Sequence, residues 1–185
     1  MSPPYKKRPL LDPETLALGA RELALLAKQA HVSVALIGGY ALQFFGSPRL
    51  TGDLDVVVAA QVPAGLPHLG DLSFGGWQTV TPGGVPTDVI VRQDEYQSLY
   101  QEALEAAVSD PVLPLPVVPI EYLAAMKLAT RRTKDAADLE WIIAESIVDI
   151  VRARAIVFKH LGPFAAREFT SVVDEVLWKK AQGKL

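Results

Sequence analysis

Residues 38–58 read Gly38-Gly39-Tyr40-Ala41-Leu42-Gln43-Phe44-Phe45-Gly46-Ser47-Pro48-Arg49-Leu50-Thr51-Gly52-Asp53-Leu54-Asp55-Val56-Val57-Val58, and this stretch decides how the chain is read. Before it, residues 32–37 are a short apolar run, a buried strand that ends at the two glycines. Residues 40–45 have the pattern of a short helix opening directly after them, and Ser47-Pro48 breaks it. Residues 55–59, built around Val56-Val57-Val58, carry the strongest strand signal in the chain. Side chains alternate along a strand, so Asp53 and Asp55 at i and i+2 share one face. Like charges so placed repel and call for a compensating partner, of which a divalent cation is the simplest. Thr87-Asp88-Val89-Ile90-Val91 sets a third carboxylate at the start of another apolar strand. If that strand lies beside the Asp55 strand, three carboxylates meet on rigid backbone, the donor set of a two-metal phosphoryl-transfer site. The glycines let backbone approach a ligand, and the helix start offers N–H groups suited to phosphate. Taken singly, each feature has a plainer reading: a tight turn at the glycines, a turn cap at Asp53, a solvated strand end at Asp55, a surface aspartate beside a turn at Asp88.

Outward from this stretch, Asp12-Pro13-Glu14 reads as a helix start, and the spacing of Leu16, Leu23, Leu26 and Ala27 predicts a helix to about residue 30. Residues 1–11, with Lys6-Lys7-Arg8, form a basic, Pro-rich arm, read as solvated and able to touch an RNA backbone. Residues 63–76 are broken up by Pro and Gly. Residues 77–80 and 88–92 read as two strands around a loop, and 93–108 as a helix. Four prolines keep 111–119 extended or at a sheet edge. Four helices follow, over 120–132, 134–145, 146–161 and 163–180. The expected class is α+β, with a basic arm (1–11), an α/β domain (12–110) and a helical C-terminal part (111–185).

Composition narrows the chemistry. The 185 residues hold 18 Lys plus Arg against 21 Asp plus Glu, a net charge of −3, which gives no sign of a polybasic nucleic-acid binder. Cysteine is absent, which excludes disulfides, Cys-ligated metals and a thiol nucleophile. His31, His68 and His160 are scattered, so any metal is a hard cation on carboxylates. No apolar run approaches the ~18 residues of a membrane span, and the expectation is a soluble, cytoplasmic protein without membrane partners.

The combination is more specific than its parts. Gly-Gly, thirteen residues (40–52), Asp-x-Asp opening a β-branched strand, and a later aspartate in an apolar strand resemble the signature of the DNA polymerase β-like nucleotidyltransferase superfamily. Gly38-Gly39-Tyr40-Ala41-Leu42, Arg49-Leu50-Thr51, Lys127-Leu128 and Arg132-Thr133-Lys134-Asp135-Ala136-Ala137-Asp138-Leu139 are similar to its small bacterial branch of abortive-infection and toxin–antitoxin type enzymes. The resemblance spans about residues 33–142. It implies a mixed, twisted sheet flanked by helices. It implies transfer of a nucleoside monophosphate from an NTP such as ATP to a hydroxyl acceptor (an RNA end, a protein or a small molecule), with release of pyrophosphate. It implies Mg2+ or Mn2+ on Asp53, Asp55 and Asp88 as catalytic residues, and nucleotide contacts at Gly38, Gly39, Arg49, Thr51, Lys127, Arg132 and Lys134. An antitoxin-like partner protein belongs to the same expectation. The other readings are an aminoglycoside-type small-molecule enzyme and a non-catalytic nucleotide- or partner-binding protein on the same fold. One departure stands out: many members carry Ser where this chain has Gly39, so one side-chain phosphate contact is missing. Lys127, Arg131 and Asp135 follow i, i+4, i+8 and would form one polar stripe on a continuous helix. Asp135 and Asp138 could instead cap and orient a helix start, with Asp135 pairing Arg49 or Arg132.

Overall fold

The structure is a computed structural model that describes residues 8–59 and 63–185. The chain divides into two compact units, one running to Val91 and including Ser109–Val117, the other made of Arg92–Val108 and Val118–Leu185.

In the first unit, helix α1 spans Pro13–Ala30, with Asp12 as its N-cap accepting from the Thr15 amide at 2.8 Å. Leu16, Gly19, Ala20, Leu23 and Ala27 form its buried face. Strand β1 (Val34–Ile37) is buried at every residue. Helix α2 starts at Gly38 itself and runs to Phe44, two residues earlier than the apolar pattern suggests. Strands β2 (Leu54–Val58), β3 (Gly70–Asp71), β4 (Gly76–Val80) and β5 (Pro86–Ile90) complete a five-stranded sheet of order β1-β2-β5-β4-β3. The β2–β5 pair is parallel and the other neighbours are antiparallel, so the sheet is mixed. The side made of β1, β2 and β5 is the most apolar part, with Leu36, Leu54, Val56 and Val89 fully buried. Among the described residues, the Pro-rich segment 111–119 meets the sheet through a parallel bridge, Leu36 to Val117, and its prolines lack the amides a full strand would need. Glu22 on α1 accepts from Thr81 Oγ1 and the Gly83 amide, tying the helix to the turn between β4 and β5.

The second unit is helical: α3 (Gln97–Glu105), α4 (Ile120–Thr130), α5 (Thr133–Ala144) and α6 (Ile150–Ala181). Helix α3 begins later than residue 93 because Asp94 accepts from the Arg92 guanidinium and the Tyr96 amide ahead of it. Helix α6 is interrupted where Gly162 adopts φ 86° just before Pro163, the break expected between two helices. Arg131 is left-handed (φ 51°) and ends α4, so Lys127, Arg131 and Asp135 do not share a helical stripe; Arg131 pairs with Glu168 instead. No helix among the described residues is long and apolar enough to cross a membrane.

Candidate metal and nucleotide site

The site is built from the sheet register. Ile37 at the end of β1 lies opposite Asp55 on β2, and Asp55 lies opposite Asp88 on β5. Parallel pairing in that register puts two carboxylates side by side, and Asp53, two residues before Asp55, joins them on the same face. One oxygen from each of Asp53, Asp55 and Asp88 lies within 4.8 Å of the others. Thr51 donates its hydroxyl to Asp53 Oδ1 at 2.8 Å and so fixes that carboxylate. Gln78 on β4 sits opposite Asp88.

The glycines close the wall. Gly38 has φ +69°, and a Cβ there would fall 2.0 Å from Asp55 Oδ2. The backbone must turn sharply against the carboxylate, and only glycine does both. At Gly39 a Cβ would lie 2.9 Å from Thr51 Oγ1 and 3.1 Å from the Arg49 guanidinium. That crowding gives a physical reason for glycine where the related signature carries serine: Thr51 and Arg49 already border the space.

Arg8, expected in a solvated arm, reaches the cluster. Arg8 Nη1 donates to Asp53 Oδ2 and Nη2 to Asp88 Oδ1, each at 2.7 Å. Burial works against its charge, but Asp88 and Asp53 outweigh it and hold the guanidinium pKa above its ordinary value. The bridge is the response of a carboxylate cluster to like-charge repulsion. Lys6 and Lys7 lie outside the described residues. A basic triplet near a chain terminus has no periodicity that points to partners 45 and 80 residues away.

Of the residues expected at the nucleotide, Gly38, Gly39, Arg49 and Thr51 gather at the carboxylates. Lys127, Arg132 and Lys134 belong to the second unit. There Lys127 is buried, its ammonium 2.8 Å from Asp135 Oδ1 and 2.7 Å from Asp138 Oδ2, while Arg132 reaches Asp135 Oδ2 at 2.5 Å. Of the two partners considered for Asp135, this one is Arg132. Lys134 is exposed on the first turn of α5. Burial alone would raise the Asp135 pKa, but Lys127, Arg132 and the Thr130 hydroxyl together hold it below 3.8.

Three carboxylates, two on strands and Asp53 just ahead of β2, are a suitable donor set for a hard divalent cation, and a guanidinium seated between two of them marks the cluster as one that takes positive charge. No protein-family model matches the chain, and no curated protein matches it in sequence. Solved structures do match. The antibiotic-resistance factor ANT(2'')-Ia is 12% identical with a TM-score of 0.58, over 86% of this chain and 98% of that one. An antigenic nucleotidyltransferase-like protein from Paracoccidioides brasiliensis is 17% identical with a TM-score of 0.54, over 94% and 92% of the two chains. The chain therefore has the α+β nucleotidyltransferase fold, a mixed sheet with flanking helices followed by a helical part.

Proposed function

We propose that this chain transfers a nucleoside monophosphate from an NTP to a hydroxyl acceptor, with release of pyrophosphate. The observation that carries the reading is the register pairing of Asp55 with Asp88, with Asp53 on the same face. Asp53, Asp55 and Asp88 would hold Mg2+ or Mn2+. When bound, such ions supply charge neutralisation to the triphosphate and Lewis-acid polarisation at phosphorus. The chain's own residues do the remaining work. Strands β2 and β5 fix the carboxylates, and Thr51 orients Asp53. Asp88 would also help take the proton of the acceptor hydroxyl, as the resemblance implies. Gly38, Gly39 and, beside Gly39, Arg49 would contact the phosphates, as the resemblance implies. In the second unit, Lys127 and Arg132 hold the corner between α4 and α5 through Asp135 and Asp138.

The likeness to an antibiotic-resistance factor over 98% of that chain supports a small-molecule acceptor, such as an aminoglycoside, beside an RNA end or a protein. The toxin-type branch, with an antitoxin-like partner, would announce itself as toxicity when the chain is expressed alone. The test is incubation with Mg2+ and each α-labelled NTP in turn, with total RNA, with lysate protein and with aminoglycosides. Label reaching one acceptor class from wild type, and not from Asp53→Ala/Asp55→Ala, is the expected result. No labelled product in any fraction would favour a nucleotide- or partner-binding protein on this fold.

A further inference from the structure

Arg8 does not sit at the carboxylates by itself; a length of backbone delivers it. The Leu11 amide donates to the Thr51 carbonyl at 2.9 Å, anchoring the segment beside the residues that lead into Asp53. Gly52 makes room for it, since a Cβ there would fall 2.3 Å from the Pro9 carbonyl oxygen. Pro9 and Leu10 then hold Arg8 at a fixed distance from the anchor. The guanidinium is four-fifths buried and its two ends grip carboxylates from different strands, Asp53 ahead of β2 and Asp88 on β5. This is the place and the charge sign of a cation that bridges the same two groups. A divalent ion brings twice the charge of one guanidinium to these carboxylates, so the ion is the better electrostatic match.

We propose that residues 8–11 are an autoinhibitory strap: Arg8 occupies the carboxylate cluster in the metal-free protein, and a divalent cation can bind there only as the strap lifts. The inference rests on the reading of Asp53, Asp55 and Asp88 as metal ligands. Arg8 and the cation compete for Asp53 Oδ2 and Asp88 Oδ1, so the apparent metal affinity is the intrinsic one reduced by the fraction of strap-open protein. The strap also lies across the wall formed by Thr51 and Gly52, so its release uncovers the edge of the site along with the ligands.

The test uses chelator-treated full-length protein and Mn2+, with free Mn2+ followed by electron paramagnetic resonance and the Leu11 amide followed by hydrogen exchange. Arg8→Gln should bind Mn2+ about tenfold more tightly than wild type, and Arg8→Lys, which keeps the charge but grips one carboxylate at a time, should fall between. Mn2+ should speed exchange at Leu11 about tenfold in wild type, and neither effect should survive in Asp53→Asn/Asp55→Asn. Equal Mn2+ affinity in wild type, Arg8→Gln and Arg8→Lys, with Leu11 exchange unmoved by the ion, would overturn the strap and leave the metal site standing. Mn2+ binding to none of them, or binding that persists unchanged in Asp53→Asn/Asp55→Asn, would overturn the metal site and the strap with it. If Arg8→Gln does not fold, the comparison of wild type with Arg8→Lys decides between the same outcomes.

Discussion

At Asp55 the strand register does most of the chemistry in advance. Its neighbours are Ile37 on one side and Asp88 on the other, and its carboxylate lies against the Gly38 backbone. Replacing Asp55 with Asn keeps the shape and removes one negative charge from a repulsive trio. Melting temperature without metal should hold or rise, while nucleotidyl transfer should fall roughly a thousandfold, the loss of several kcal/mol of metal-held charge. Calorimetry and the labelled assay on one preparation check both halves. Gly38→Ala should behave in the opposite way. Its Cβ would strain a φ of +69° and collide with Asp55 Oδ2, so stability should drop by roughly 1–3 kcal/mol together with metal affinity. A Gly38→Ala protein with wild-type melting temperature and wild-type Mn2+ affinity would show that the turn tolerates a side chain.

Among the elements, the corner between α4 and α5 shows where a short motif was misleading. Lys127 and Asp135 are eight residues apart and would lie along one side of a continuous helix, but Arg131 turns left-handed and folds the segment back on itself. The result is a buried ammonium between Asp135 and Asp138, an arrangement that periodicity alone cannot reveal. Lys127→Ala would take the buried ammonium from between Asp135 and Asp138, leaving Asp135 to Arg132, and should cost about 3–5 kcal/mol, or roughly 6–20 °C in melting temperature. The same corner gives an acid limb: Asp135 is held below 3.8 when folded, so its contribution is complete above that value and is lost as pH falls through the lower folded-state pKa. Asp135→Asn should flatten the fall of melting temperature below about pH 4. Elements with a strong local pattern were read to within a few residues: α1 with its Asp12 cap, β1, β2 and the broken α6. The two-residue β3 was not, because it exists only through its pairing with β4 and has no run of its own.

Across the whole chain, sequence identities of 12% and 17% accompany a shared fold, so most side chains differ between chains that fold alike. The strand, Gly38-Gly39 and the Asp-x-Asp strand were legible because each leaves a local mark. Their meeting with Asp88 was legible only as a condition, since it depends on β5 lying beside β2 across a span that contains β3 and β4. The part played by Arg8 had no local mark at all. A metal that binds the folded cluster should stabilise the whole protein through linkage: saturating Mg2+ should raise the wild-type melting temperature by about 5–10 °C and leave Asp53→Ala/Asp55→Ala unmoved. An equal rise in both would place the ion elsewhere. The central claim, transfer of a nucleoside monophosphate at Asp53, Asp55 and Asp88, is tested most directly by paired reactions with α- and γ-labelled NTP. The account predicts α-label in the acceptor and γ-label in pyrophosphate, with wild type alone. Label from the γ-phosphate in the acceptor, or equal α-label with Asp53→Ala/Asp55→Ala, would contradict it.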